Sequence, residues 1–402
     1  MKGKNYLIFL CWFIYTVAYL GRYSYTTNVV LIISEYGITR AEAGLVSTCF
    51  FIVYGIGQVV NGLLCKKYAK RWLLGGALVV SAIVNLAIGC GVPFTLYKYL
   101  WIVNGAAQSF LWSSVICILG DYLPAEKLKT ATLVMSTSVT VGTFVSYGMS
   151  ALFSWLNIFR GTFIFAGLLL AAGAFLWTAT YNGVATNEKV SLEEVETSET
   201  KNKLPVFILC SVILLGIFAV VDNLVKDGLS TWVPSILKEE FGMNDSLSVL
   251  LTLSLSAVGV LGSFLAMNLY KKIKDHIVIC GIFFLAASIL LAVVLAFINT
   301  EAWLLILLCF CVICCVMSGI NNVITAMAPL YLRNYINSGL LAGILDGCCY
   351  VGSAISAYGL GSLADGNGWG GVFVLMLLLC VFPVLLSGIF SIVFLIRKKG
   401  AK

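Results

Sequence analysis

Long apolar runs, separated by short polar breaks, recur along the whole chain. Their cores fall near 6–33, 43–65, 72–91, 96–120, 128–153, 159–180, 205–237, 246–270, 277–297, 302–330, 336–363 and 371–396. At a rise of about 1.5 Å per residue, each run is long enough to cross a ~30 Å hydrocarbon core as an α-helix. In lipid a helix satisfies its own backbone hydrogen bonds, so the pattern predicts an all-α membrane protein with twelve transmembrane helices. The first run is too long for a signal-peptide core and lacks a small-residue cleavage site, so it is expected to be retained. One polar stretch interrupts the series, and its glutamates (Glu188, Glu193, Glu194, Glu196 and Glu199) mark a flexible linker. The expected organisation is residues 1–181 as an N-terminal six-helix bundle, 182–204 as a cytoplasmic linker, and 205–402 as a C-terminal six-helix bundle.

The two halves echo each other. Arg22, Thr26–Thr27 and Glu35–Tyr36–Gly37–Ile38 recur as Lys226, Ser230–Thr231 and Glu240–Phe241–Gly242–Met243. Asn104–Gly105 and Gln108 of the fourth run resemble Ser318–Gly319 and Asn322 of the tenth. The sixth run opens Phe159–Arg160–Gly161–Thr162–Phe163, and the twelfth opens Trp369–Gly370–Gly371–Val372–Phe373. Three echoes in order, offset by half the chain, predict two pseudo-symmetric repeats, an arrangement typical of transporters.

Composition supports this and removes other classes. The chain is 60% hydrophobic and 11% charged, a balance no soluble globule of 402 residues carries. The net charge of +7 comes largely from run ends, at Lys2, Lys4, Lys66, Lys67, Lys70, Arg71, Lys271, Lys272, Lys274, Arg397, Lys398 and Lys399. The positive-inside rule puts these on one side with both termini cytoplasmic, so no nucleic-acid partner is needed to explain them. Most of the 14 cysteines lie inside apolar runs without metal-ligand spacing, and read as small buried side chains. The single histidine, His276, follows a basic loop and is expected in solvent or among headgroups. No nucleophile–base pair, metal cluster or cofactor motif is visible; an enzyme and a cofactor are not expected.

The intramembrane charges carry the chemistry. Arg22 and Lys226 each lie eleven positions before the end of their run, ~16 Å from one face and near mid-membrane. A cation there costs at least about 2.5 kcal/mol and is retained for a partner or a task. Two at one depth predict an anion site, an arginine offering a planar fork and a lysine a point charge. Lys226 has an alternative, since Asp222 stands four residues before it on the same helical face. Asp227 is adjacent, and Asp346 is a third intramembrane acid; all three are candidates for coupling or gating. Uncharged donors expected around the substrate are Tyr19, Thr26, Asn104, Gln108, Ser230 and Asn322, with Tyr15, Tyr25, Asn321 and Thr325 as further candidates.

These residues also carry a resemblance. Ala18–Tyr19–Leu20–Gly21–Arg22, Gly62 with Lys66–Lys67 and Lys70–Arg71–Trp72–Leu73, Trp101–Ile102–Val103–Asn104–Gly105–Ala106–Ala107–Gln108–Ser109 with Trp112, and Val225–Lys226–Asp227–Gly228 with Thr231–Trp232 resemble the major facilitator superfamily. More narrowly they are similar to its organophosphate:phosphate antiporters, the glycerol-3-phosphate and hexose-phosphate transporters. The chain departs from that pattern at Tyr23, Val30, Ser113 and Ser114. The resemblance implies the major facilitator fold, Arg22 and Lys226 as a phosphate-binding pair, and exchange of a phosphate ester for inorganic phosphate.

The resulting expectation is a secondary active transporter of a small organic anion working by alternating access, monomeric in the lipid bilayer, in a bacterial cytoplasmic membrane. The alternatives are a proton- or sodium-coupled symporter of a carboxylate or sugar acid, and a membrane sensor built on the transporter fold.

Overall fold

The computed structural model describes residues 2–64, 70–185, 206–332, 335–336 and 338–400. Its described residues are helical almost throughout, and ten stretches are long and apolar enough to cross a membrane. Two findings reconcile ten with the twelve expected. Residues 340–392 form one stretch of 53 residues, yet the chain turns inside it at Gly368, whose φ of 68° is left-handed backbone that glycine adopts without strain. The helix Ala125–Trp155, at 31 residues, is also long enough to span.

In chain order the helices are α1 (Lys2–Thr26), α2 (Val29–Tyr36), α3 (Arg40–Leu64), α4 (Lys70–Gly89), α5 (Tyr97–Tyr122), α6 (Ala125–Trp155) and α7 (Gly161–Ala185). There follow α8 (Val206–Phe241), α9 (Asp245–Ile273), α10 (His276–Phe297), α11 (Trp303–Asn322), α12 (Ala328–Tyr331), α13 (Ser338–Ile355) and α14 (Gly361–Gly400). Two π-helical turns, Val323–Met327 and Ser356–Leu360, interrupt the second half. Large apolar side chains such as Ile83, Phe175 and Ile289 are exposed, as lipid rather than water would allow.

Packing divides the chain into two compact units. The first comprises Met1–Ile38, Leu45–Thr197 and Asn244–Leu253; the second comprises Thr39–Gly44, Ser198–Met243 and Ser254–Lys402. Much of the expected linker, and Lys66 and Lys67 of the basic loop, lie outside the described residues. In the first unit α1 packs on α5, α6 and α7, and α4 on α5 and α7. Its core holds Leu7, Ile14, Leu78, Leu111, Leu170 and Trp177. In the second, α8 packs on α11, α13 and α14, and α10 on α11 and α14. There Arg40 ion-pairs with Glu239 and with Asp365 (2.8 Å), Asp365 accepts from the Ala41 N–H (2.9 Å), and Trp369 Nε1 donates to Glu239 (2.8 Å).

The repeat seen in sequence is written into the backbone. Gly37 and Gly242, which close the echoed Glu-aromatic-Gly segments, both adopt left-handed φ, at 60° and 63°. A second equivalence lies inside the units. A Cβ added to Gly142 of α6 would meet the Thr16 carbonyl of α1, and one added to Gly352 of α13 would overlap the Val220 carbonyl of α8. Thr16 and Val220 each stand six residues before the basic residue of their helix. Backbone therefore touches backbone at the same register in both units, which is why glycine occupies both places.

One expectation is corrected. His276 does not face solvent: it is 7% exposed, with its ring 4.8 Å from Tyr270 and 5.0 Å from Tyr331. Asp275 caps α10 by accepting from the Ile277 and Val278 N–H groups, which turns the next side chain inward among those rings.

Candidate functional site

Each unit carries one intramembrane cation, and the surroundings of the two are built differently. In the first unit Arg22 stands one turn before an interruption: α1 ends at Thr26, Thr27–Asn28 form a turn, and α2 resumes at Val29. Polar groups exposed by the break are served locally. Ser150 Oγ of α6 donates to the Thr27 carbonyl (3.0 Å) and to Asn28 Oδ1 (3.1 Å), and Asn28 Nδ2 donates to the Ser24 carbonyl (2.8 Å).

The guanidinium of Arg22 is surrounded by aromatic rings. Its carbon lies 4.6 Å from the Tyr54 ring centroid, 5.4 Å from Phe50, 5.5 Å from Phe51 and 5.6 Å from Tyr19. A desolvated cation gains ~2 kcal/mol from a well-placed ring face. Ring faces hold a guanidinium by its charge, while its N–H donors lie in the plane of the group. Tyr19 is fixed between Tyr15 (5.2 Å) and Tyr23 (5.8 Å), with Gly142 against its Cβ. Thr26 closes α1 half-buried.

Asn104 and Gln108 are buried, and their amides are spent on the polypeptide. Asn104 Nδ2 donates to the Gly21 carbonyl (3.2 Å), and Asn104 Oδ1 accepts from Ser81 Oγ (2.6 Å). Gln108 Nε2 donates to the Ala18 carbonyl (3.2 Å) and to Ser81 Oγ (3.0 Å), and Asn85 Nδ2 adds a second bond to Gly21 (3.2 Å). These side chains from α4 and α5 clamp the turn of α1 that carries Arg22.

In the second unit Lys226 lies among acids. Its charge bears on the Asp222 carboxyl one turn earlier, as does that of Asp227. Asp222, Lys226, Asp227 and Asp346 each bear electrostatically on the Cys349 thiol of α13. Asp222 is fully buried, and its Oδ2 accepts from Asn223 Nδ2 (3.3 Å). Asn321 of α11 also hydrogen-bonds Asp222 and donates to Cys349 Sγ (3.5 Å). Ser353 Oγ of α13 donates to Asp227. Ser230 Oγ donates back to the Lys226 carbonyl (3.0 Å). Of the neighbouring amides it is thus Asn321 that reaches the acids, while half-buried Asn322 leads into the π-turn Val323–Met327. A π-turn widens a helix locally and is often found at functional positions; Ser356–Leu360 begins three residues after Ser353.

Phe50, Phe51 and Tyr54, the rings about Arg22, were not among the sequence candidates, nor was Ser353. An aromatic pair at i, i+4 in the second apolar run is the only local hint of the cage. Among the described residues no group of His, Cys, Asp and Glu could hold a metal ion, and the cysteines there form no disulfide.

Two helical units, each carrying one cation where its first helix is locked by a glycine contact, define a polytopic helical membrane protein built on an internal repeat. The chain belongs to the Major Facilitator Superfamily, whose family pattern matches residues 11–337. It is 26% identical over 114 residues to the membrane sensor protein UhpC of Escherichia coli, covering 28% of this chain and 26% of that one. It is 26% identical over 128 residues to a probable hexose phosphate transport protein of Chlamydia trachomatis, covering 32% of this chain and 28% of the relative. Against a phosphoglycerate transporter protein of Salmonella typhimurium it is 24% identical over 128 residues, 32% and 28% of the two chains. The matches thus span under a third of these relatives. Among solved structures, an inward-facing, unoccupied bacterial homolog of the human lysosomal transporter Spinster superposes with a TM-score of 0.79 at 15% identity, covering 98% of both chains. The nucleoside transporter NupG gives a TM-score of 0.74 at 12% identity, over 96% of this chain and 99% of that one. At such identities the likeness is one of fold.

Proposed function

We propose that the chain is a secondary active transporter that exchanges a phosphate ester for inorganic phosphate by alternating access. Arg22 and Lys226 each supply a cation to the anion. The observation that carries the reading is the equivalence of these two residues, six positions beyond the glycine contacts of Gly142 and Gly352 in their own units. Arg22 supplies a fork suited to phosphate oxygens, held by ring faces from the first unit. Relatives whose names specify hexose phosphate and phosphoglycerate support a phosphorylated substrate. The protein works as a monomer in a bacterial cytoplasmic membrane, with both termini on the cytoplasmic side.

The test is uptake of labelled glucose 6-phosphate into proteoliposomes. Uptake that requires internal phosphate supports exchange. Uptake driven by a pH or sodium gradient, and indifferent to internal phosphate, refutes it in favour of coupled symport. That second reading is favoured by one observation: Asp222, Asp227 and Asp346 share with Lys226 the electrostatic environment of Cys349. Binding without flux would instead mark a sensor, as the similarity to a membrane sensor protein suggests.

A further inference from the structure

We infer that Asp222 is a proton-binding site, and that its proton is exchanged in step with anion binding at Lys226. The second clause rests on the reading of Lys226 as an anion-binding residue; the first does not.

Asp222 is 0% exposed in the middle of α8, in an apolar run. Its two oxygens are treated differently. Oδ2 accepts from Asn223, and Asn321 also hydrogen-bonds the carboxyl, whereas Oδ1 has no hydrogen-bond partner among the described residues. With so few donors, a neutral acid leaves only one O–H without an acceptor, a modest cost. An ionised carboxylate would leave a charged oxygen undonated in a dry interior, the costliest arrangement available to it.

The surroundings agree. Every helix packed against α8 there brings a thiol whose environment includes the Asp222 charge: Cys280 on α10, Cys314 on α11, Cys349 on α13 and Cys380 on α14. Thiols are weak donors and weak acceptors, able to accommodate a neutral acid but poor at solvating an anion. The charged neighbours on its own helix are Lys226 and Asp227. With Asp346 they set three carboxyls against one ammonium around Cys349. A phosphate arriving at Lys226 adds negative charge to a group already in excess of it. Protonation of the Asp222 carboxylate forms one O–H bond, removes one negative charge, and consumes one proton from solution. Anion binding and proton uptake then favour each other, and release of one favours release of the other.

Two measurements test this. The infrared difference spectrum between wild type and Asp222→Asn, taken without ligand in detergent at neutral pH, is expected to show a protonated-carboxyl C=O band present only in wild type and shifted in deuterated buffer. Asp222→Glu should restore such a band at a displaced frequency, which serves if the asparagine variant folds poorly. No band assignable to position 222 in either comparison overturns the proton site. Calorimetry of glucose 6-phosphate binding in two buffers of different ionisation heat, at an alkaline pH where the unliganded protein has lost that band, is expected to show proton uptake on binding in wild type and none in Asp222→Asn. Equal uptake in both proteins overturns the linkage. A carboxyl band accompanied by no binding of glucose 6-phosphate or phosphate leaves Asp222 as a proton site and refutes the phosphate-ester reading instead.

Discussion

Replacing Arg22 by lysine separates what the guanidinium does from what its charge does. In the wild type the group sits 4.6–5.6 Å from four ring centroids, within reach of their negative faces. Lysine keeps the charge and much of that attraction, but loses the fork that grips two oxygens of one phosphate. A hydrogen bond to a charged group contributes about 1.5–3 kcal/mol. Loss of one therefore weakens phosphate-ester binding roughly 10- to 100-fold, since about 1.4 kcal/mol is tenfold. Arg22→Gln removes both bonds and the charge, about 3–6 kcal/mol or roughly 10²- to 10⁴-fold. The rings around the guanidinium are uncharged, and melting of either variant is expected to stay within about 4 °C of wild type, the shift of ~1 kcal/mol in a unit this size. The assay is equilibrium binding of labelled glucose 6-phosphate to protein in detergent, with a thermal melt on the same sample. An Arg22→Gln protein that binds like wild type refutes the anion contact. An Arg22→Gln protein that unfolds, beside an Arg22→Lys protein of normal affinity, would make Arg22 a structural cation held by its rings.

The remaining expectations concern the supports of the two cations. Asn104→Ala strands Ser81 Oγ and a bond to the Gly21 carbonyl in the core, so it should cost about 1–3 kcal/mol, read as a lowered melting temperature. It should weaken anion binding less than Arg22→Gln does. Gly142→Ala and Gly352→Ala each push a methyl into a facing carbonyl and should destabilise by about 1–3 kcal/mol, whereas Gly76→Ala, where nothing lies within 4 Å, should leave melting unchanged or slightly raised. Lys226→Gln should abolish anion binding while the protein stays folded; normal exchange by this variant in proteoliposomes would show that Lys226 serves only Asp222.

Much of the frame is legible because lipid imposes a simple rule: a span must be apolar and self-bonded, so run length alone marks helices. The Gly37/Gly242 echo is legible for a similar reason, since left-handed backbone at a helix end calls for glycine wherever it recurs. Partner choice is not local, and there the sequence stops. Asn104 and Gln108 announce donors at one face of a helix, but only the packing of α1 on α5 shows them aimed at carbonyls of Gly21 and Ala18. Three of the four rings around Arg22 come from α3, and no feature of Phe50 or Tyr54 names the cation it will meet. The π-turns at 323–327 and 356–360 carry no residue that requires them. His276 reads as a loop residue because its neighbours in sequence are charged; its neighbours in space are Tyr270 and Tyr331.

The difference between the surroundings of Arg22 and Lys226 has a physical consequence of its own. Arg22 is always protonated at physiological pH and is held by uncharged rings, so the first unit offers a fixed positive charge. Lys226 shares its surroundings with three carboxyls, and the charge the second unit presents depends on how many are ionised. Symmetry of fold therefore does not produce symmetry of charge. Sensitivity to pH is expected to reside in the second unit: Asp222→Asn should flatten the pH profile of exchange, while Arg22→Lys should lower its height and leave its shape. A profile whose shape follows Arg22 instead would place the titrating group in the first unit and reverse this assignment.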